Sequence, residues 1–540
     1  LRYDGPNPGE TWRPWAVTLP AEVAAFRIRA VDASSAAYGW LSFSEPFVDA
    51  ALVPRQLWPL VQLSTTTCLA LALLYGPGWL WLRRRGHARA PGDLALAIIA
   101  GPVLVAALGL ACWLLGGMLS PVIVARGGIV ALLVAIGIGA WRGRTTSAPL
   151  PAQATTVIVA GMLLVGFAVA KANLSIGPAG ELFGGTVSRT LAVGGHSDSR
   201  TSYHIVQLVA HHAGPFSAEA ESYYTPWSFA NRGPIGGLIA APLVLGLGAD
   251  PRADAVNQPW QPFDPHGFAT YRISQIVLAS LAGWAVFGAA ATMLPAAWAL
   301  LAAAVALLSP FLVHELYFTW PKLATAAFVL AAFVLAHRRR PLAGGLASGI
   351  AYLLHPLALF SIPFLGLWIL VRAWRHETDW RRCLPPAQFT ASVMLFVIPW
   401  WLLGRLAPLR TGSQPVFLDF FRLSNGKLET AASAWWQSRW DNLANTFVPF
   451  HLFTVDRAHE SINSVYAPSD PWVQTAFLYW NTLPFALGLP AFVLLIVAII
   501  AATRRAPGLV AVTFIGPALL LIVYWGAASS GMMRHCGHVL

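Results

Sequence analysis

Apolar residues in this chain come mostly in long unbroken runs. They do not follow the 3.6-residue stripe of a surface helix or the alternation of a half-buried strand. Runs of about 17–25 apolar residues suit helices that cross a hydrocarbon core about 30 Å thick. Such runs occur at 58–82, 94–115, 121–141, 155–174, 271–293, 296–311, 320–336, 342–355, 357–371, 389–403, 483–502 and 509–525. They predict twelve transmembrane helices. The runs 342–355 and 357–371 are short and meet at His355-Pro356, so a re-entrant pair is the alternative there. A further apolar stretch, 234–247, is Gly-rich and too short to count as a crossing.

Three polar segments separate the runs. In the first, 1–57, "AAFRIRAV" alternates like a strand and "YGWLSFSEPF" follows, which predicts the end of a β-sandwich. The second is an external loop, 175–270, and the third a late loop, 404–482. The organisation expected is thus an external segment (1–57), three accessory helices (58–154), a core (155–403), the late loop and two C-terminal helices (483–540).

Composition agrees with the runs. Of 540 residues, 56% are apolar and 11% charged, and Trp occurs 24 times. Soluble domains carry about 25% charged residues. The chain therefore reads as an all-α polytopic membrane protein, not a soluble or disordered one. Its four cysteines, Cys68, Cys112, Cys383 and Cys536, show neither a disulfide framework nor zinc-ligand spacing.

A net charge of +12 would suggest nucleic acid in a soluble protein. Here it sorts by side. Five clusters hold fifteen of the thirty-five basic residues: Arg83–Arg85 with Arg89, Arg142 with Arg144, Arg338–Arg340, Arg372 with Arg375, Arg381 and Arg382, and Arg504 with Arg505. Twelve crossings put all five on one side, as the positive-inside rule requires of cytoplasmic loops. A crossing at 234–247 would send the last three outside, so that stretch is expected at the external interface, flat or re-entrant. The excess charge is an orientation signal, and no nucleic-acid partner is expected.

Candidate chemistry concentrates on the external side. The loop 175–270 contains Gly195-His196-Ser197-Asp198-Ser199-Arg200-Thr201-Ser202-Tyr203-His204, then Glu219, Glu221, Tyr223, Tyr224, Trp227, Asn231 and Arg232. A carboxylate near the bilayer face can take the proton of an acceptor hydroxyl. Aromatic faces such as Tyr224 suit the C–H patches of sugar rings. Asp198 equally fits an N-cap, and both readings stay open. His196, His204, His211 and His212 match no strong metal motif. A divalent metal remains the one cofactor candidate.

A second cluster is His314-Glu315-Leu316-Tyr317-Phe318-Thr319-Trp320-Pro321-Lys322. Lys322 lies just inside an apolar run, where a charge is costly and has a partner or a function. Holding a lipid phosphate and snorkelling to the interface are the two readings. Glu315 pairs with Lys322 or binds substrate. His355, Arg405 and Arg410 mark further external helix ends, with Arg272 at the start of its run. An arginine fork matches phosphate oxygens. Arg439, His451, Arg457 and His459 belong to the late loop.

From Thr155 onward the layout resembles the GT-C superfamily of integral membrane glycosyltransferases. The stretches "NRGPIGGLIAAPLVLGLG", "FTWPKLATAAFVLAAF" and "GLASGIAYLLHPLALFSIPFL" carry the resemblance. It implies a core of seven helices, an acidic base in the first external loop, and a donor sugar on a polyprenyl-phosphate carrier. Asp198 then takes the place of the catalytic acid, and Lys322, Arg405 and Arg410 are candidates for the carrier phosphate. The acceptor would be a cell-envelope glycan or glycolipid. High Ala, Arg and Trp suggest a bacterial source, hence an inner-membrane location with an external site. The 1–57 segment resembles carbohydrate-binding modules of some cell-wall arabinosyltransferases.

Two other classes stay in view. An O-antigen ligase or polymerase type enzyme would use Arg439, His451, Arg457 and His459. A non-enzymatic flippase or transporter of lipid-linked sugars would show repeats and midplane charges, and no repeat is visible.

Overall fold

The computed structural model describes residues 52–84, 91–142, 152–173, 197–220, 233–248, 265–317, 321–376, 379–406, 423–424, 427–428, 432–447, 484, 487–505 and 507–524. These are helical but for turns and one short hairpin, Leu423–Ser424 against Lys427–Leu428. The predicted strand "AAFRIRAV" lies outside the described residues.

In chain order the helices are α1 (Leu52–Arg84), α2 (Pro91–Leu115), α3 (Pro121–Arg142), α4 (Ala152–Asn173), α5 (Ser197–His211) and α6 (Ile235–Gly246). Next come α7 (Pro265–Ala290), α8 (Ala296–Leu308), α9 (Pro310–Tyr317), α10 (Lys322–His337), α11 (Pro341–Leu354) and α12 (Ile362–His376). The last are α13 (Leu384–Leu406), α14 (Ala432–Phe447), α15 (Leu489–Arg505) and α16 (Pro507–Tyr524), the last with a π turn at Ala511–Ile515. Among the described residues, six helices are long and apolar enough to cross a membrane: Asp93–Leu115, Pro121–Arg142, Thr270–Ala290, Pro356–His376, Asp379–Leu403 and Pro507–Tyr524. Another six are apolar but shorter. The chain is thus a helical protein of membrane character. All twelve apolar runs of the sequence fall on helices.

Contacts between neighbouring helices fix their directions. Gly78 of α1 lies against the Ala97 backbone, and Gly101 of α2 against that of Leu74, so α1 and α2 are antiparallel. Ile136 of α3 touches Gly76, which returns α3 to the end where α1 finishes. That end collects basic residues. Arg340 pairs with Asp93 at 3.5 Å, and an Arg372 amine donates to the His337 carbonyl at 2.5 Å. The Arg382 guanidinium sits 5.5 Å from the centre of the Trp374 ring. α16 runs antiparallel to α12, with Tyr524 beside Phe360 and Gly516 beside Phe364. Its start, after Arg504, is therefore at the same end. The described residues of all five basic clusters share this end.

The opposite end holds the turn 116–120, the start of α7, the start of α10 and His355. Leu94 touches Gly288, so α7 descends from that end to the basic one. α6 differs from its neighbours. Residues Gly236–Leu245 are all buried, so the helix is enclosed by the bundle and does not lie on a lipid interface. Gly233, just before it, lies against the Leu353 backbone at the end of α11, while Gly246 meets Ile129 of α3. Twelve residues span about 18 Å, too little for a crossing, and both partners are within three turns of the end opposite the basic one. α6 is a short oblique helix inside that half of the bundle. A run of apolar residues on every face demands such burial, and its glycines permit it.

Candidate functional site

The first turn of α6 is where the site residues converge. Around the Cβ position of Gly236 lie Ser202 Oγ of α5, Gln275 Oε1 of α7 and Pro321 Cβ, at 3.4, 3.5 and 3.6 Å. Gln275 Nε2 donates to the Gly236 carbonyl at 2.9 Å, tying α7 to this turn. Gly237 is tighter still. A Cβ there would stand 2.3 Å from the Ser202 carbonyl and 2.4 Å from Ile205 Cβ, so only glycine lets α5 approach.

Each converging element brings a chemical group. Asp198 belongs to the first turn of α5, one helical turn before Ser202, and its side chain lies outside the described residues. A carboxylate there is favoured by the positive end of the helix dipole. Lys322 follows Pro321 directly, opens α10 and is buried. Arg272 is buried one turn from Gln275 on α7, its guanidinium 5.4 Å from the centre of the Phe268 ring. Phe268, Tyr271 and Tyr203 form an aromatic cluster with centroids 5.3–5.6 Å apart, which clamps α5 onto α7.

The remaining candidates fall around this point in different ways. Glu315 is buried in α9, which packs on α7 and α10. His355 is buried in extended backbone after α11, and its Nδ1 accepts from the Leu357 amide at 3.2 Å, capping the 3₁₀ turn Pro356–Phe360. That hydrogen bond accounts for one ring nitrogen by turn chemistry. His204 is half-buried, its Nδ1 2.8 Å from Gln207 Oε1 on the same helix. Arg200 belongs to the first turn of α5, and Arg405 to the end of α13. Their side chains lie outside the described residues, as do His196, Tyr224 and Arg410.

His212 sits elsewhere. It adopts φ 53°, its Nδ1 lies 2.8 Å from the Trp113 carbonyl, and Trp113 Nε1 donates to the Ala213 carbonyl at 2.9 Å. These contacts fasten the end of α5 to the α2–α3 turn. Among the described residues, no three His, Cys, Asp or Glu side chains gather as for a metal ion.

In the late loop, Arg439 of α14 is fully buried. Its Nε donates to the Val523 carbonyl at 3.2 Å, and its guanidinium stacks 4.1 Å from the centre of the Trp435 ring. Burial pushes this guanidinium down to about 10. A cation on the last carbonyls of α16 is a helix C-terminal anchor. His451, Arg457 and His459 lie outside the described residues.

Three residues of the site escape a reading of the sequence: Ser202, Gln275 and Gly236. One signal was available. Tyr271-Arg272-Ile273-Ser274-Gln275 is a polar stripe inside an apolar run, and polar groups at membrane depth are costly unless used. No family model, curated protein or solved structure matches the chain.

Proposed function

We propose that this protein is a bacterial inner-membrane glycosyltransferase of GT-C type, with about twelve crossings and its site on the external face. It transfers a sugar from a polyprenyl-phosphate carrier to a cell-envelope glycan or glycolipid. The observation that carries the reading is the convergence at the first turn of α6. There the helix bearing Asp198 meets Pro321, which precedes buried Lys322, and the helix bearing buried Arg272 and Gln275, at the end opposite the basic clusters.

The chemistry follows from those groups. Asp198 takes the proton of the acceptor hydroxyl as its oxygen attacks the anomeric carbon. The bond from that carbon to the carrier phosphate breaks, and the phosphate leaves with the electron pair. Lys322 and Arg272 offset the negative charge that develops on it. With the basic loops inside, the site opens to a compartment without nucleotide sugars, which favours a lipid-linked donor. Glu315, buried in α9 beside α7 and α10, is assigned as a substrate-binding group.

Transfer from a radiolabelled prenyl-phosphate sugar into an endogenous acceptor, in membranes carrying Asp198→Asn, tests the reading. Loss of at least a hundredfold in rate, at unchanged protein level, is expected. Full activity in this variant together with a null His459→Ala would overturn it in favour of the ligase reading. Arg439 supports that reading less, because main-chain carbonyls and Trp435 already account for its burial.

A further inference from the structure

We infer that the N-terminus of α6 is a phosphate-binding site, with Ser202 as its hydroxyl donor and Arg272 as its counter-charge. The inference deepens the proposed function and rests on it for the source of the phosphate, not for the site itself.

Start with the helix. The first N–H groups of an α-helix have no partner within the helix, and its dipole gives that end a partial positive charge. α6 begins Gly233-Pro234-Ile235-Gly236-Gly237, with no side-chain cap. Pro234 has no N–H, so the amides of Ile235, Gly236 and Gly237 are the ones left to satisfy. Together they suit an anion. Gly236 leaves the backbone bare of a side chain beside Ser202 Oγ, whereas the Gly237 side is closed by α5.

The second observation is independent. Ser202 Oγ, on a residue 1% exposed, makes no hydrogen bond among the described residues. It points at the first turn of α6, 3.4 Å from the Cβ position of Gly236. A buried hydroxyl without a partner is costly, so such a group calls for a ligand. The third element is charge. Arg272 stands one turn from Gln275 on the face that touches α6, buried beside Phe268. Lys322 opens the neighbouring helix. Three amides and one hydroxyl at one helix end, with a cation on each of two neighbouring helices, fit a phosphate, whose oxygens accept several hydrogen bonds at once.

Gly236→Ala makes a clean probe. Its Cβ would meet neighbours at 3.4–3.6 Å, ordinary contact, so the fold tolerates it while the methyl covers Ser202 Oγ. Calorimetric titration of the purified full chain in detergent uses farnesyl phosphate, farnesol and inorganic phosphate as separate probes. The wild type is expected to bind farnesyl phosphate and not farnesol. Gly236→Ala and Ser202→Ala should each weaken that binding tenfold or more, with melting temperatures within 2 °C of wild type. Asp198→Asn should bind as wild type although it transfers no sugar, which separates this site from the base. Equal affinity for inorganic phosphate supports the anion site and gives its ligand as free phosphate. Unchanged affinity in both variants, or no binding of either phosphate by the wild type, overturns the inference.

Discussion

Gly237 is the residue on which the site's geometry depends. Its Cα lets the Ser202 carbonyl and the Ile205 stem come within reach of α6. Neither obstacle is the free end of a flexible side chain, so a methyl group must push the two helices apart. Overpacking of this kind costs about 1–3 kcal/mol. Gly237→Ala should therefore lower the melting temperature of the purified protein, whereas Gly236→Ala, one residue away, should not. Equal melting of the two variants would contradict the packing described. The contrast also explains what the sequence reveals at this scale. Lys322 and Arg272 announce themselves, because a charge inside or beside an apolar run is rare and costly. Ser202 and Gln275 do not, because uncharged polar residues are common at helix surfaces. Only the neighbours of Gly236 show that they face one point. His355 stands at a break in an apolar run, where turn chemistry and a site role are both open, and its Nδ1 caps the following turn.

At the scale of elements, the apolar runs were legible and the role of one was not. Hydropathy alone cannot tell a short helix on an interface from a short helix enclosed by others. α6 is enclosed, and its far end shows how it is held. Gly248 takes φ 80° and its amide donates to the Leu245 carbonyl, a left-handed stop that glycine permits. Arg126 Nε of α3 donates to the Gly246 carbonyl at 3.1 Å. The accessory helix thus neutralises the negative end of α6 while the positive end faces the site. Arg126→Met keeps the apolar stem but removes that bond, worth about 1–3 kcal/mol for a charged donor and nearer the low end at an exposed position. Hydrogen exchange of the amides at 243–247 should speed up in the variant. Unaltered exchange would mean that packing alone holds the helix.

The whole molecule separates its charges by end. The Arg340–Asp93 pair, the Arg372–His337 bond and the Arg382–Trp374 stack join the basic clusters at one end, and the buried Arg272, Glu315 and Lys322 lie toward the other. Arginine in short loops resists translocation, so the proposed orientation puts the basic end in the cytoplasm. Two native thiols report on this. Cys383 is exposed at the basic end, beside Arg381 and Arg382, whereas Cys112 is fully buried in α2. A variant with Cys68→Ser and Cys536→Ser leaves these two as reporters. A membrane-impermeant maleimide should spare Cys383 in intact cells and modify it in inside-out vesicles, with Cys112 protected in both. Modification of Cys383 from outside would invert the protein, turn the α6 site toward the cytoplasm, and remove the reason to prefer a lipid-linked donor over a nucleotide sugar. One accessible thiol thus bears on the donor class, because the side on which the α6 site opens decides which activated sugars reach it.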